Sequence, residues 1–413
     1  MLQKSPPSTQ HPASLPIVLG LLTAIGLFAI DMYLPSLPEI GVGLNADSGA
    51  VQASLISFFV AMGLSQLVYG PVSDMIGRKK PLFFGLSLFA IGAIGCALSP
   101  SVEWLIGFRA LQGVGACAGT VLCRAIVRDL FTGVAAAHLM SRLMLVFSVS
   151  PILAPLAGSM ITAFGSWRII FWVMVATAAL GMVLAALLLP ETRSAEARSE
   201  SSLGSALSSY GVLLRDPYYL GLVLIASFGM SSYMIYVANS SFILIEHYGL
   251  TPGYYSVLFS LNAISFISAS QMNGRLSRRF GLQRLIRFAV SGFALAATLL
   301  FVMFEFGFGS LPLMAALLFV AYGFLGMVIP TSAVLALEAH GRIAGTASAL
   351  MGTLQFVTAS SVIGIASLFF DGTALPMVAT IATCSLTVLL LATVTLRSPA
   401  TEAETTRPAE ERP

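Results

Sequence analysis

Gly70-Pro71-Val72-Ser73-Asp74-Met75-Ile76-Gly77-Arg78-Lys79-Lys80 is a short polar and basic string between two apolar runs, about residues 50–69 and 81–99. Gly274-Arg275-Leu276-Ser277-Arg278-Arg279-Phe280-Gly281 repeats its glycine, serine and glycine at the same spacing. Each string follows the second apolar run of a series of six, so the two fall at the same place in two successive halves. Matching position as well as matching spacing argues for two parallel repeats.

The composition agrees. Of 413 residues, 57% are hydrophobic and 9% are charged, with 37 glycines, and the mean hydropathy is +0.90. A soluble domain carries about 25% charged residues, so a soluble enzyme, a nucleic-acid binder and a disordered chain are all excluded as readings. The net charge of +3 says little about partners.

A spanning helix needs about 20 apolar residues. Twelve runs meet that need, at about 15–37, 50–69, 81–99, 102–123, 141–164, 168–190, 218–245, 252–273, 283–305, 309–330, 342–369 and 375–396. They are continuous rather than alternating, which suits helices and not a membrane barrel. The expected fold is an all-α membrane protein of twelve transmembrane helices in two pseudo-symmetric six-helix bundles. Residues 15–190 form the first bundle and 218–396 the second. A polar cytoplasmic linker, 191–217, joins them. Residues 1–14, polar and proline-rich, and 397–413 are expected to be disordered cytoplasmic tails. The apolar run after residue 14 is followed by no convincing cleavage site and is read as a retained span.

Basic residues set the orientation. With the N-terminus inside, the inner connections hold Arg78, Lys79 and Lys80; Arg124, Arg128 and Arg142; Arg193, Arg198 and Arg215; Arg275, Arg278, Arg279, Arg284 and Arg287; and Arg342. The outer connections hold only Arg168, beside Glu39, Asp47, Glu246, Glu305 and Asp371. Both termini are therefore expected in the cytoplasm.

Two charges fall inside the spans. Asp31, in Asp31-Met32-Tyr33-Leu34-Pro35-Ser36-Leu37-Pro38, is the only acid of span 1. A carboxylate there either caps the span end or pairs or protonates, and an intramembrane acid is a functional candidate by default. The two prolines suit the end of that helix. Arg109 lies seven residues into span 4, about 10 Å deep, too far for easy snorkelling. Depth counted from the same side places Asp31 and Arg109 within electrostatic reach of each other. Span 5 carries Pro151, Pro155 and Gly158, which suit a bent, closely packed helix. Tyr33, Gln112, Tyr236, Asn239, Phe259, Asn262, Phe266, Gln355 and Phe356 are candidates for lining a substrate cavity, with ordinary helix packing as the competing reading. Gly113, Gly115 and Gly119 mimic part of a dinucleotide fingerprint, but no strand precedes them, and small residues at this spacing serve helix packing.

No P-loop string, HExxH or metal-ligand cluster occurs, so no metal and no cofactor are expected. Cys96, Cys117, Cys123 and Cys384 lie in apolar stretches without a CxxC pair and read as small buried side chains. The four histidines are scattered in loops or near span ends.

Four strings together carry a family resemblance. Gly70 to Lys80 resembles the G-x-x-x-D-[RK]-x-G-R-[RK] signature of the major facilitator superfamily, with Met75 at its first basic position. Leu105-Ile106-Gly107-Phe108-Arg109-Ala110-Leu111-Gln112-Gly113 resembles the superfamily's span 4 motif. Asp31 to Pro38 resembles the D-x-x-x-P-x-x-P motif of drug:proton antiporters. The span 5 string keeps Pro155 and Gly158 of G-P-x-x-G-G, with Ala154 and Ser159 replacing two glycines. The chain thus resembles the twelve-span drug:proton antiporters, and within them the Bcr/CflA branch of bicyclomycin and chloramphenicol-type exporters.

That resemblance implies efflux of small drug-like molecules across a bacterial inner membrane by alternating access, with protons as the coupling ion and a monomer as the working unit. It implies that Gly70, Asp74, Gly77, Arg78 and Lys79 form a gate that helps hold the outward-facing state by joining the two halves on the inner side, and that Asp31 and Arg109 handle the proton. A metabolite transporter is the alternative. An intramembrane lipid-modifying enzyme is a remote one, since it would need clustered acid, base or metal ligands at one depth.

Overall fold

The structure, a computed structural model, describes residues 15–131, 133–193, 198 and 203–396. The tails 1–14 and 397–413 and part of the expected linker lie outside the described residues. Among the described residues the chain is helical, without strands. In the first half, α1 (Leu15–Asp31) and α2 (Leu37–Leu44) precede α3 (Ser48–Ile76), α4 (Lys79–Ala97), α5 (Val102–Leu130), α6 (Gly133–Ala163) and α7 (Arg168–Leu188). A short α8 (Leu203–Leu213) follows. The second half holds α9 (Pro217–Ser241), α10 (Pro252–Phe280), α11 (Leu282–Glu305), α12 (Leu311–Glu338), α13 (Ala344–Ser367) and α14 (Leu375–Thr395).

Among the described residues, eleven segments are long and apolar enough to cross a membrane, α1 and α2 forming one of them together. The helix of the expected eighth span, α10, is not among the eleven. Its 29 residues are long enough, but Ser256, Ser260, Asn262, Ser265 and Asn273 interrupt its apolar character. These side chains are buried inside the protein, where a neighbour rather than lipid meets them. The all-helical, twelve-span bundle stands, with α10 burying a polar face inside the protein and exposing Val257, Leu261 and Ile264 on the other.

Several ends differ from the sequence reading. Span 1 stops at Asp31, and a 3₁₀ turn, Leu34–Ser36, separates it from α2. Pro35 and Pro38 stand in the first positions of the elements they begin, where a missing N–H costs nothing. They start these two elements, and Pro35 has no N–H for the carbonyl of Asp31, where α1 ends. Helix α5 runs seven residues beyond the expected 123, so Arg124 and Arg128 ride on a helix and not in a connection. Gly70 and Asp74 likewise belong to α3 and not to a turn. Arg142 lies within α6. The linker region contains α8, whose Tyr210 hydroxyl donates to the Leu67 carbonyl of α3 at 3.2 Å.

Within the first half α5 packs on α3, α4 and α1, while α1 also packs on α6. In the second, α9 packs on α13 and α14, and α12 on α10 and α11. Two seams join the halves, α3 with α13 and α6 with α10. They are equivalent pairs when the repeats are exchanged, so the packing carries the symmetry read from the sequence.

The backbone carries it too. Gly77 ends α3 at φ +96°, ψ 166°, its amide donating to the Ser73 carbonyl. Gly281 ends α10 at φ +81°, ψ 150°, donating to Ser277. This region of backbone space belongs almost solely to glycine. After Gly77, the Glu191 carboxylate accepts from the amides of Arg78 at 2.8 Å and Lys79 at 3.1 Å, closing the free N-terminus of α4.

Two predictions follow from this corner. A Cβ on Gly77 would lie 2.5 Å from a Glu191 oxygen, whereas one on Gly281 meets nothing within 4 Å. Gly281→Ala should therefore cost the backbone strain alone, about 1–3 kcal/mol, and Gly77→Ala visibly more; thermal unfolding of the two variants in detergent checks the order. Burial favours the neutral form of Glu191, but the backbone amides of Arg78, Arg193 and Lys79 outweigh it and hold the carboxyl below its ordinary 4.5. A lowered carboxyl stabilises above the ordinary value and loses its contribution as pH falls through the folded one. Hydrogen-exchange protection at Arg78 and Lys79 should thus decline below about pH 4.5 toward the level of Glu191→Gln.

Candidate functional site

The string at residues 70–80 builds an ion network within the first half. Arg78 pairs with Asp74 one turn earlier at 2.7 Å and reaches Asp129 on α5 with Nε at 2.7 Å and Nη2 at 3.2 Å. Its Nη1 donates to Ser73 Oγ at 2.6 Å. Arg78 is 3% exposed, and three acceptors answer its buried charge. The bonds tie α3, α4 and α5 together. None of these bonds reaches the second half. At this end a gap separates the halves, so the joining expected of the outward-facing state is not the arrangement seen here. Gly70 borders that gap, with open space where a side chain would go.

Asp31 and Arg109 do not pair either. Arg109 is fully buried and donates to the Ala29 carbonyl at 3.1 Å and to Gln112 Oε1 at 2.6 Å. Its guanidinium lies 4.6 Å from the Tyr33 ring centroid and 4.3 Å from that of Phe58. Desolvated cation–π contacts of this kind contribute about 2 kcal/mol. Its Nε and Nη2 have no hydrogen-bond partner. Asp31, 6% exposed, instead accepts from Ser150 Oγ on α6 at 3.4 Å. Residues 29 and 31 stand about 200° apart around a helix, so an arginine addressing α1 at Ala29 does not address Asp31. Asp31 is also within electrostatic range of Tyr233 and Tyr255 in the second half. As the last residue of α1 it meets the negative end of the helix dipole.

The cavity candidates divide into three groups. Tyr33 and Gln112 belong to the shell of Arg109. Tyr33 donates to, or accepts from, Ser54 Oγ at 2.8 Å, and Gln112 Nε2 donates to Met174 Sδ at 3.3 Å. Tyr236, Phe259, Asn262 and Phe266 come together with Tyr233, Tyr255 and Tyr322 in an aromatic cluster on α9, α10 and α12. Tyr236 stacks on Phe259 at 5.5 Å and Tyr233 on Phe266 at 5.8 Å, while Asn262 Nδ2 donates to the Tyr236 hydroxyl at 2.9 Å. Asn239 and Phe356 go elsewhere, into the seams between the halves. Gln355 is half-buried beside Phe356.

Those seams close one end of the molecule. Gln52 Nε2 donates to Asn239 Oδ1 at 3.1 Å. Ser256 and Ser260 on α10 donate to the carbonyls of Pro155 and Ile152 on α6 at 2.9 and 3.0 Å. Helix α6 continues through Pro151 and Pro155, and a Cβ on Gly158 would overlap the Met32 carbonyl, so the close approach expected of this motif is realised against α1. Nearer the centre, Thr353 Oγ1 donates to the Gly63 carbonyl at 2.7 Å, and Phe59 meets Phe356 at 5.8 Å.

The opposite, arginine-rich end is open. A cavity of about 760 Å³ enters there, between α3 and α5 on one side and the start of α13 on the other. It reaches Gln66, ten residues or about 15 Å from the end of α3.

Sequence reasoning missed Ser150, Asp129 and Glu191. The signal for the two acids was present: each is a carboxylate at the end of the molecule where arginines gather. Ser150 gave none, because a serine in an apolar helix usually bonds its own backbone. Among the described residues no group of three or more metal-ligating side chains occurs, and all four cysteines are buried and unpaired.

Residues 19–365 match the Major Facilitator Superfamily. The chain is 38% identical over 373 residues to an uncharacterized MFS-type transporter YdgK of Bacillus subtilis, covering 90% of this chain and 92% of that protein. It is 31% identical over 375 residues to a bicyclomycin resistance protein homolog of Haemophilus influenzae, covering 89% and 92%. With multidrug resistance protein D of Escherichia coli it shares 30% over 271 residues, covering 66% and 68%. Among solved structures, the nucleoside transporter NupG superposes with a TM-score of 0.73 over 92% of this chain and 99% of that one, at 14% identity, which speaks to the fold alone. The family match over most of the chain, the paired six-helix bundles and the cavity between them lead to one conclusion: this chain is a multi-pass membrane transporter of the Major Facilitator Superfamily, not an enzyme.

Proposed function

We propose that this protein exports small drug-like molecules across the bacterial inner membrane in exchange for protons, as a monomer with both termini in the cytoplasm. The observation that carries the reading is Asp31. It is a buried acid at the break between α1 and α2, held by α6 and within electrostatic range of Tyr233 and Tyr255 of the second half. Relatives named for bicyclomycin and multidrug resistance support the substrate class. The arginine-rich end supports the orientation, which makes the open cavity cytoplasmic.

Drug enters from the cytoplasm and rises toward the aromatic cluster of Tyr236, Phe259 and Phe266, whose faces suit varied apolar rings. Asp31 gives up its proton toward the cytoplasm as drug binds. Its charge then favours the arrangement that opens the sealed end, where drug leaves and a proton returns. Arg109 acts on this step through the Ala29 carbonyl, which fixes the last turn of α1. It also keeps two N–H groups available for a carboxylate brought nearer in the other state.

The energy is sufficient. One charge crossing the membrane contributes about 2.3 kcal/mol per 100 mV, and one pH unit about 1.36 kcal/mol. A total of about 4 kcal/mol sustains about a thousandfold gradient of a neutral drug.

Proteoliposomes under an imposed pH gradient give the test. Chloramphenicol-like or bicyclomycin-like compounds should trigger proton movement in the wild type. Asp31→Asn should abolish it while expression and melting temperature stay near normal. Uncoupler-sensitive efflux persisting in Asp31→Asn removes this residue from the mechanism. Silence with every drug but movement with an amino acid or sugar overturns the exporter reading.

A further inference from the structure

Where the seam between α3 and α13 opens into the cavity, one glutamine stands without a hydrogen-bond partner. Gly63, Gln66 and Gly70 are spaced three and four residues apart and share one face of α3. At Gly63 the seam is shut: a Cβ there would lie 2.7 Å from that of Phe356, and the Gly63 carbonyl accepts from Thr353. At Gly70 it is open, with nothing within 4 Å of where a Cβ would stand. Gln66 is therefore the residue at which contact between the halves gives way to the cavity, and it borders that cavity.

Gln66 is 7% exposed. Its amide rests against the backbone of α13, so closely that a Cβ on Gly352 would overlap Oε1. The amide holds one acceptor oxygen and two donor hydrogens. Gln52, Thr353, Ser256 and Ser260 each find a partner across the seams, whereas Gln66 makes no hydrogen bond among the described residues. A partner for it can arrive from the cavity. Val121 of α5 and Ala349 of α13 border the same space. Gln66 lies ten residues before Ile76 and Val121 nine before Leu130, so both stand about 13–15 Å from the inner ends of their helices. Apolar walls beside one fixed polar group are the usual make-up of a small-molecule site, the polar group setting orientation and specificity. An amide already packed in place loses little freedom when a ligand meets it.

We propose that Gln66 is the specificity-determining residue of the inward-open cavity, and that it pairs with an uncharged group offering both a donor and an acceptor, such as a carboxamide, lactam or urea, on an otherwise apolar molecule. Gly352 lets the amide lie flat against the second half, so the pairing is made where the two halves meet. This deepens the exporter reading, on which it rests for the route of entry, by naming the group of the substrate that the cavity reads first.

The probes are naphthalene-2-carboxamide and methyl naphthalene-2-carboxylate, both uncharged, of which only the amide donates. Each is titrated calorimetrically onto the protein in phosphatidylcholine nanodiscs, with protein-free nanodiscs as the blank for partition into lipid. The wild type should bind the carboxamide at least tenfold more tightly than the ester. Gln66→Leu should weaken the carboxamide tenfold, about 1.4 kcal/mol, and leave the ester unchanged, the retained ester binding showing that the cavity is intact. Gln66→Asn should recover part of the loss. Gly352→Ala, which displaces Oε1 from the opposite half, should lower the same preference. No binding of the carboxamide, equal affinity for both probes, or a Gln66→Leu variant that keeps the preference overturns the proposal. Loss of both probes together also overturns it, because it assigns Gln66 to packing alone. Binding is read without proton movement, so silence in the proton-flux assay defeats the exporter reading and leaves this result standing, and a missing carboxamide preference leaves the exporter reading standing.

Discussion

A buried charge must be answered by the protein around it, and this molecule is organised by how three such charges are answered. Arg109 receives a carbonyl, a glutamine and two aromatic faces. Arg78 receives two aspartates and a serine. Asp31 receives a single hydroxyl at 3.4 Å. The two arginines lock helices of the first half to one another. The acid is weakly held, within electrostatic range of two tyrosines of the other half. A group so placed can change its charge without unravelling the bundle that carries it.

The contacts between halves are of a different grade. They are serine, threonine and glutamine bonds, two of them from serines that also meet carbonyls of their own helix. Interhelical hydrogen bonds in membranes average about 0.6 kcal/mol, so the four that cross the seams amount to about 2 kcal/mol. The proton-motive total of about 4 kcal/mol exceeds that. The first half is held by the ion network of Arg78 and both halves by glycine-mediated close packing, and the seam by individually weak bonds. Rigid halves around a separable interface are the physical requirement of alternating access.

The same contrast explains the unequal ends. Where α6 meets α10, serines find carbonyls on a proline-bearing helix and Gly158 lets α1 approach it. Where α3 and α5 face the start of α13 at the other end, arginines from both halves line a cavity. The ion network of Arg78 turns inward to Asp74 and Asp129 instead of spanning the gap.

The sequence by itself determined the class, the repeats and the residues of consequence. Twelve apolar runs allow only helices in a bilayer, and the Gly-Ser-Gly spacing at 70–77 and 274–281 marks two turns that only glycine backbone can make. Asp31 and Arg109 were legible because an ionised side chain inside a span is too costly to be incidental. Partners were not legible. Pairing depends on rotation about helix axes, and Asp31 turns to Ser150 while Arg109 turns to Ala29 because those two positions of α1 look in different directions. The helix ends were also beyond the sequence. A helix such as α5 runs past the membrane's hydrophobic limit as long as its backbone bonds continue, carrying Arg124 and Arg128 onto the cavity wall. Which end is sealed, and which arginines share a cavity, only tertiary structure decides, because both follow from contacts between segments more than 100 residues apart.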